Sequence, residues 1–134
     1  MAGSPNPIDT DPAPTRVLLV EDCTTDAELL ALVFDDAGAP IQWQHVCSES
    51  ALRGVLAGSS VDLVISDYRL PGFDGLQALA IVSELAPGVP FVFCCGEADP
   101  HFERQATDAG ARACVPKHQM WKLPAVVAAL LARS

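Results

Sequence analysis

Five short apolar runs, separated by segments with a helical pattern, constrain the fold of this chain more than any other feature of its sequence. In chain order the runs are "RVLLV" (16–20), "IQWQHV" (41–46), "VDLVIS" (61–66), "PFVFCC" (90–95) and "ARACV" (111–115). Nearly continuous short runs are typical of strands buried on both faces of a parallel sheet, and alternation, as in residues 41–46, is typical of an edge strand. The pattern therefore predicts a parallel sheet with residues 41–46 at one edge.

Each run is followed by a segment whose apolar residues recur at a spacing of three or four, as along one face of a helix. In chain order the defining positions are Leu30, Val33, Phe34 and Ala37; Ala51, Leu52 and Val55; Leu76, Leu79 and Ala80; a weaker pattern over about residues 97–109; and Leu123, Val126, Val127 and Leu130. We expect Ser48 and Asp74 to cap two helices, and Gly38 and Gly110 to end two others. The units predict a doubly wound, flavodoxin-like α/β fold, with a five-stranded parallel sheet of order 2-1-3-4-5 and five helices on its two faces.

Length and composition favour one acidic domain. Residues 1–15 contain four prolines and no apolar periodicity, so we predict a flexible tail there and a single domain over residues 16–134. The formal net charge of −9 disfavours a nucleic-acid-binding surface. Without a long apolar run or a signal sequence we expect no membrane association and a cytoplasmic location. In that compartment the five cysteines are expected to be reduced, buried thiols: Cys23, Cys47, Cys94, Cys95 and Cys114.

Polar residues that follow the strands are the candidates for chemistry, because ligands of such sheets bind outside the carboxyl ends of the strands. Glu21 and Asp22 follow the first run, Asp67 follows the third, Cys95 ends the fourth, and Lys117 follows the fifth. In the predicted order, three carboxylates meet beside a lysine. Such a cluster needs a cation, and hard oxygen ligands at an open site suit Mg²⁺ (or Mn²⁺). Together these groups fit phosphoryl transfer onto Asp67.

Three segments resemble the receiver domains of two-component response regulators. "LLVEDCTTDAELL" (18–30) is similar to the first strand and acid pair of that family, "DLVISDYRLPGFDG" (62–75) to its phosphoacceptor segment, and "GARACVPK" (110–117) to its lysine strand. The segments "PFVFCCG" (90–96) and "KHQMWKLPAVVAAL" (117–130) look most similar to receivers allied to hybrid or sensor histidine kinases. The resemblance covers residues 16–133.

This resemblance implies a role for each matching residue. Asp67 corresponds to the phosphoaccepting aspartate, Asp22 to a direct metal ligand, and Glu21 to the acid that holds the metal through water. The backbone carbonyl of Arg69 corresponds to a further metal ligand, and Lys117 to the lysine that pairs with the phosphoryl group. The implied phosphoryl donor is a sensor histidine kinase or a histidine phosphotransfer protein.

Two positions that the family uses as a switch depart from its pattern. Cys95, which would bind the phosphoryl group, stands where the family carries Thr or Ser, and Cys114 stands where it usually carries Tyr or Phe. A thiol donates a weaker hydrogen bond than a hydroxyl, so coupling between phosphate and the following loop is expected to weaken by about 1 kcal/mol. A Cys95–Cys114 redox pair is an alternative use of these thiols. His118 replaces the proline that commonly follows the lysine, which disfavours a cis peptide bond there.

The sequence favours a stand-alone receiver that is phosphorylated on Asp67 and acts through contact with a downstream protein or as a step in a phosphorelay. Its only catalysis would be phosphoryl transfer to Asp67 and hydrolysis of the product. One alternative is a pseudo-receiver, an interaction module whose switch is disabled by Cys95 and Cys114. Another is a phosphatase with an aspartate nucleophile, which is disfavoured because Arg69 occupies the position where those enzymes need a second aspartate.

Acids near the start of a helix also occur for a structural reason, since the helix dipole favours negative charge there. This is the alternative interpretation of Glu21 and Asp22, and it is the interpretation that we give to Asp26. Asp74 is interpreted as a helix cap rather than a ligand.

Overall fold

The computed structural model describes residues 14–70, 72–96 and 99–132, and within them the predicted strands form one five-stranded parallel sheet. The strands are β1 (Thr15–Val20), β2 (Ile41–Val46), β3 (Leu63–Ser66), β4 (Phe91–Cys95) and β5 (Ala113–Pro116). Their order across the sheet is β2-β1-β3-β4-β5, and every neighbouring pair is parallel. The predicted order is therefore confirmed, with residues 41–46 at one edge.

The boundaries of β2 match the predicted run, and those of the other four strands differ from it by one or two residues. β1 begins at Thr15, which pairs with Ile41, so the sheet begins one residue before the predicted domain boundary. Residues 1–13 of the predicted tail lie outside the described residues. β5 begins two residues after Ala111, because the backbone N–H of Ala111 still donates to the carbonyl of Ala106 in the preceding helix.

The predicted helices are present in the described parts of the chain, five in number: α1 (Thr24–Asp36), α2 (Glu49–Gly58), α3 (Gly75–Leu85), α4 (Pro100–Ala109) and α5 (Leu123–Leu131). Ser48 and Asp74 cap α2 and α3 as predicted, and Asp74 forms a reciprocal capping box with Gln77. Gly38 follows the end of α1, and Gly110 ends α4 in the left-handed conformation.

The start of α4 differs from the prediction. The helix begins at Pro100, with the side chain of Asp99 accepting a hydrogen bond from the backbone N–H of His101. Residues 97 and 98, which the predicted helix includes, lie outside the described residues. Backbone N–H groups in the first turn of a helix have no partner within the helix, and proline has no N–H to leave unpaired. Proline is therefore favoured at the start of a helix.

Alternate residues of the strands point to opposite faces of the sheet, and the described residues form an apolar cluster on each face. On one face, residues of the sheet pack against α1 and α5: Val17, Leu19, Leu63, Ile65 and Val92 with Leu30, Phe34, Leu123, Val127 and Leu130. On the other face they pack against α2, α3 and α4: Leu18, Val20, Val64, Phe91 and Phe93 with Leu52, Leu56, Leu79, Val82, Phe102 and Ala106. The predicted apolar faces are wrong at Ala37, Ala51 and Ala80, which are exposed.

Two short elements that the sequence did not predict follow strands of the sheet. After β3, Arg69–Leu70 pairs with Phe73–Asp74 as a small antiparallel hairpin. Gly72 in its turn has a φ of 79°, which favours glycine, and Pro71 lies outside the described residues. After β5, Lys117–Lys122 forms a 3₁₀ segment before α5 begins. Both elements start at the carboxyl edge of the sheet, beside the candidate site.

The cysteines divide into buried and exposed groups. Cys94 and Cys95 are buried and Cys114 is half-buried, whereas Cys23 and Cys47 are exposed, and none of the five is in a disulfide. The prediction of buried thiols is wrong for Cys23 and Cys47, because the strands before them end at residues 20 and 46 and leave both cysteines in loops. In the part of the chain that the structure describes, no helix combines the length and the apolar character that a membrane span requires.

Candidate functional site

The backbone of the sheet fixes the two strand ends that carry the acids. The N–H of Asp67 donates to the carbonyl of Val20 at 2.9 Å, and the N–H of Glu21 donates to the carbonyl of Val46 at 3.0 Å. Inter-strand bonding therefore continues one residue beyond β3 and β1. Glu21 and Asp67 leave the sheet from defined positions at its carboxyl edge, where ligands of such folds bind.

Glu21, Asp22 and Asp67 form an acidic cluster at this edge. One carboxylate oxygen from each lies within 4.8 Å of the others. Glu21 is only 1% exposed, Asp67 is half-buried and Asp22 is exposed. α1 begins only at Thr24, so Glu21 lies before its first turn, and the alternative of an acid favoured by the helix dipole does not account for Glu21. The structure brings these three predicted residues together, and their roles stay predictions.

Lys117 lies within this cluster. Its Nζ is 3.1 Å from Oε1 of Glu21, 3.1 Å from Oδ2 of Asp67 and 2.5 Å from Oδ2 of Asp26. Burial acts to lower the pKa of Lys117, but hydrogen bonds to Asp26, Asp67 and Glu21 outweigh it and raise that pKa above its ordinary value. Lys117 is therefore charged at neutral pH. Its peptide bond to His118 is trans, as the sequence predicted.

The charge balance of the site is negative. Burial raises the pKa of Glu21, and the negative charge of Asp67 raises it further, against hydrogen bonds from the Cys23 N–H and Lys117. The described residues thus place one ammonium among the carboxylates of Glu21, Asp22, Asp67 and Asp26. An additional cation at the cluster would relieve the repulsion that raises the pKa of Glu21.

The residues of the cluster fit a divalent metal ion. They offer hard carboxylate oxygens at an open crevice, and Asp22 faces solvent. This donor set suits Mg²⁺, which is usually held by one or two carboxylates and keeps several of its waters. Glu21, Asp22 and Asp67 are the side chains that would hold the ion.

Local hydrogen bonds fix the position of Asp67. The N–H of Tyr68 donates to Oδ1 of Asp67 at 2.7 Å, and the hydroxyl of Ser66 donates to its carbonyl at 2.7 Å. Gly75 lies directly beside this segment and donates its N–H to the carbonyl of Tyr68. A Cβ at Gly75 would clash with the ring of Phe93 and lie 2.7 Å from the carbonyl oxygen of Asp67. Glycine is therefore needed where the hairpin returns past the strand end.

A cavity of about 560 Å³ opens beside Asp67 and Lys117 and extends towards α4. Cys95 and Arg69 also line it, so the structure brings these predicted residues to one space. Cys95, at the end of β4, is 7% exposed. The role of the Arg69 carbonyl as a metal ligand stays a prediction.

The two cysteines at the predicted switch positions lie on adjacent strands. Burial raises the pKa of Cys95, and it raises the pKa of Cys114 to about 11. A reactive thiol needs a lowered pKa, because the thiolate is the nucleophile. Neither cysteine has that property, so the raised pKa values do not support the alternative of a redox pair.

Asp26 is the site residue that the sequence interpretation missed. The sequence pattern assigns it to the helix dipole, yet its carboxylate is the closest of the three that contact Lys117 among the described residues. The hydrogen bond from Lys117 lowers the pKa of Asp26 below its ordinary value. A usable signal is its place in the first turn of the helix that follows β1, because that turn borders the carboxyl edge of the sheet.

Comparison with known sequences places most of the chain in one family. The family described as "Response regulator receiver domain" matches residues 17–128. The transcriptional regulatory protein GlrR of Escherichia coli is 37% identical over 81 residues, which are 59% of this chain and 17% of GlrR. The uncharacterized transcriptional regulatory protein YbdJ of Bacillus subtilis is 32% identical over 95 residues, which are 71% of this chain and 41% of YbdJ. The chain thus spans less than half the length of these relatives.

Solved structures of similar fold agree. A candidate response regulator from Chloroflexus aurantiacus has a TM-score of 0.79 at 30% identity, covering 90% of this chain and 100% of its own. The receiver domain of a signal transduction histidine kinase from Syntrophus aciditrophicus has a TM-score of 0.75 at 25% identity, covering 89% and 91%. Since transcriptional regulators and a kinase receiver both match, the narrower resemblance to kinase-allied receivers stays a prediction. The chain belongs to the response regulator receiver domains of two-component signalling.

Proposed function

We propose that this receiver domain accepts a phosphoryl group on Asp67, with Mg²⁺ bound at the acidic cluster, from a sensor histidine kinase or a histidine phosphotransfer protein. The observation that carries the proposal is the contact of Lys117 Nζ with Oδ2 of Asp67, 3.1 Å, within a cluster of three carboxylates. A carboxylate nucleophile, a fixed ammonium and a set of metal ligands are the groups that phosphoryl transfer requires.

In the proposed reaction a carboxylate oxygen of Asp67 attacks the phosphorus atom of the donor. The bond from phosphorus to the imidazole nitrogen breaks, its electron pair stays on the nitrogen, and the product is an acyl phosphate on Asp67. Hydrolysis reverses the modification when water attacks phosphorus and the Asp67 carboxylate leaves with the electrons of its bond. Inorganic phosphate is then released.

Each residue of the site has a separate proposed role. The hydrogen bond from the Tyr68 N–H orients the carboxylate of Asp67, and Lys117 offers its N–H donors to an oxygen of the incoming group. Bound Mg²⁺, held by Glu21, Asp22, Asp67 and the Arg69 carbonyl, would neutralise charge on the transferred group. We propose no catalysis beyond the phosphorylation and dephosphorylation of Asp67 itself.

The proposed output is a protein contact or a phosphorelay step. The net charge of −9 supports a protein partner rather than direct contact of this domain with nucleic acid. Transcriptional regulation is a property named for GlrR and YbdJ, which extend well beyond the matched region. We therefore propose no direct role in transcription for this domain.

The test is labelling with acetyl phosphate and Mg²⁺, followed by separation of the phosphorylated protein on a phosphate-affinity gel. We expect a single shifted species that disappears in Asp67→Asn and on chelation of Mg²⁺. Asp74→Asn, at a helix cap outside the cluster, is the matched control and should label as the parent does. Labelling that survives Asp67→Asn would contradict the assignment of the acceptor.

The second candidate function is a constitutive interaction module with a disabled switch. The observation that favours it is the burial of Cys95 beside the phosphoacceptor, because a buried thiol is a poor donor for a phosphoryl oxygen. Absence of labelling by acetyl phosphate and by candidate kinases, in protein shown to be folded, would favour this function over the first.

A further inference from the structure

The three N–H donors of Lys117 are matched by three carboxylates in the described part of the chain. An ammonium group has three donors, and Glu21, Asp67 and Asp26 each supply an acceptor. The contact with Asp26 is the shortest of the three, at 2.5 Å. A new acceptor can therefore bind Lys117 well only if one of the present contacts loosens.

Asp26 is the contact that can be given up most readily. Its side chain is 26% exposed, compared with 14% for Asp67 and 2% for Glu21, so water can replace its bond to Lys117. It also lies outside the group of carboxylates that converge as metal ligands. Asp26 lies in α1, whereas Glu21 and Asp67 directly follow strands of the sheet. The ammonium of Lys117 is therefore bound by a helix residue as well as by two residues at the end of the sheet.

We propose that Asp26 is a positioning residue of the phosphoacceptor site, which holds Lys117 in the unmodified protein and competes with a phosphoryl group on Asp67 for its ammonium. The inference rests on the function proposed above and deepens it. Phosphorylation adds negative charge and oxygen acceptors on the same side of Lys117 as Asp67. The contact between Asp26 and Lys117 then has to weaken, and the charge of Asp26 repels the new group.

The competition predicts the direction in which a substitution of Asp26 changes phosphorylation. Removing the charge of Asp26 while keeping its shape, in Asp26→Asn, weakens the hydrogen bond that holds Lys117, because an amide oxygen is a weaker acceptor than a carboxylate. The substitution also removes a repulsive charge, so both effects favour the phosphorylated state. A partly exposed charge-assisted pair contributes modestly, which sets the expected gain at roughly three- to tenfold. A residue that only supported the fold would give a loss of phosphorylation instead.

The experiment measures the acetyl phosphate concentration that gives half-maximal labelling, with Mg²⁺ present, by phosphate-affinity gel. Asp26→Asn should reach half-maximal labelling at a concentration roughly three- to tenfold lower than the parent. Asp26→Glu, which keeps the charge, should return close to the parent value. Glu28→Gln, on an exposed residue of the same helix, is the matched control and should leave the value unchanged.

The outcomes separate this inference from the function on which it rests. If the parent labels and Asp26→Asn labels equally or less well at the same acetyl phosphate concentration, the competition is overturned and the phosphoacceptor function stands. If Glu28→Gln lowers the half-maximal acetyl phosphate concentration as much as Asp26→Asn does, the effect comes from the overall charge of the domain, and the positioning role is overturned. If no variant labels, the phosphoacceptor function fails, and the inference fails with it.

Discussion

The crevice at the carboxyl edge of the sheet has two halves, built from different strands. The acid half follows β1 and β3 and contains Glu21, Asp22 and Asp67. The thiol half lies on β4 and β5: Cys95 lines the cavity beside Asp67, and Cys114 lies on β5, paired with Phe93. Lys117 starts beyond β5, on the thiol side, but its ammonium contacts Glu21 and Asp67 on the acid side.

The two halves differ in the charge of their side chains. In the acid half, burial and then the negative charge of Asp67 raise the pKa of Glu21, and the clustered carboxylates attract cations. In the thiol half, burial raises the pKa of both cysteines, so they remain neutral at neutral pH. Chemistry at Asp67 is therefore supported by one half alone, and the other can respond only through packing and weak hydrogen bonds.

Packing offers a route between the halves through aromatic rings. The ring of Tyr68, directly after Asp67, lies 4.4 Å from that of Phe102 in α4, measured between centroids. Phe102 in turn lies 5.0 Å from Phe93 in β4. Gly75 sits at the junction, against the Phe93 ring and the backbone of Asp67 and Tyr68. These four residues form a packed seam between the two halves: Tyr68, Phe102, Phe93 and Gly75.

The largest expected effect in this comparison comes from filling that seam. Gly75→Ala places a methyl group against the Phe93 ring and the Asp67 carbonyl, and overpacking of this kind costs about 1–3 kcal/mol. The free energy of unfolding, measured by urea denaturation, should fall by about that amount, and phosphorylation should fall because Asp67 is displaced.

Gly54→Ala is the matched control for this substitution. Gly54 lies in α2, and no atom outside its own helical turn lies within 4 Å of the position that an alanine methyl group would take. Alanine should therefore raise the free energy of unfolding by about 0.5–1 kcal/mol through helix propensity. A Gly75→Ala protein as stable as the parent would show that the two halves are not packed as one unit.

A smaller effect is expected from changing the donor in the thiol half. Cys95→Ser supplies a hydroxyl beside the cavity that contains Asp67 and Lys117, and a hydroxyl donates a stronger hydrogen bond to a phosphoryl oxygen. We expect the affinity for beryllofluoride, a phosphoryl mimic, to rise roughly fivefold in the presence of Mg²⁺, which corresponds to about 1 kcal/mol. Fluorescence titration provides the measurement.

Cys94→Ser is the control for the thiol half. Cys94 is the adjacent residue of β4, but its side chain packs in the cluster on the α1 and α5 face. The same chemical change there should lower stability and leave the beryllofluoride affinity of the folded protein unchanged. Equal affinities for the parent and Cys95→Ser would mean that the residue at this position does not contact the phosphoryl group.

The acid half was predictable from sequence for a simple physical reason. Apolar runs fix where buried strands end, and the carboxyl ends of adjacent parallel strands share one edge. The convergence of Asp67 with Glu21 and Asp22 follows from the sheet order alone. The position of Lys117 follows in the same way, since it is the first residue after β5.

Features that depend on side-chain reach or exact element ends were not predictable. The contact of Asp26 with Lys117 joins residues 91 positions apart and depends on how far a flexible lysine extends. The exposure of Cys23 and Cys47 depends on where β1 and β2 end, at Val20 and Val46. Spacing in the sequence specifies backbone position well, but it does not specify these contacts.

The last expected effect concerns Cys94, which follows Phe93 in β4 but packs on the α1 and α5 face of the sheet. Burial raises the pKa of Cys94 to about 12 from an ordinary value of 9.0, so the folded state keeps its proton where the unfolded chain loses it. Its contribution to stability is complete below pH 9 and is lost progressively as pH rises towards 12. The free energy of unfolding should therefore decline above pH 9, and the decline should be shallower in Cys94→Ala, which has no thiol to ionise. Urea denaturation of both proteins between about pH 8 and about pH 10.5 measures the two slopes, and parallel slopes would show that this thiol ionises equally in the folded and unfolded chain.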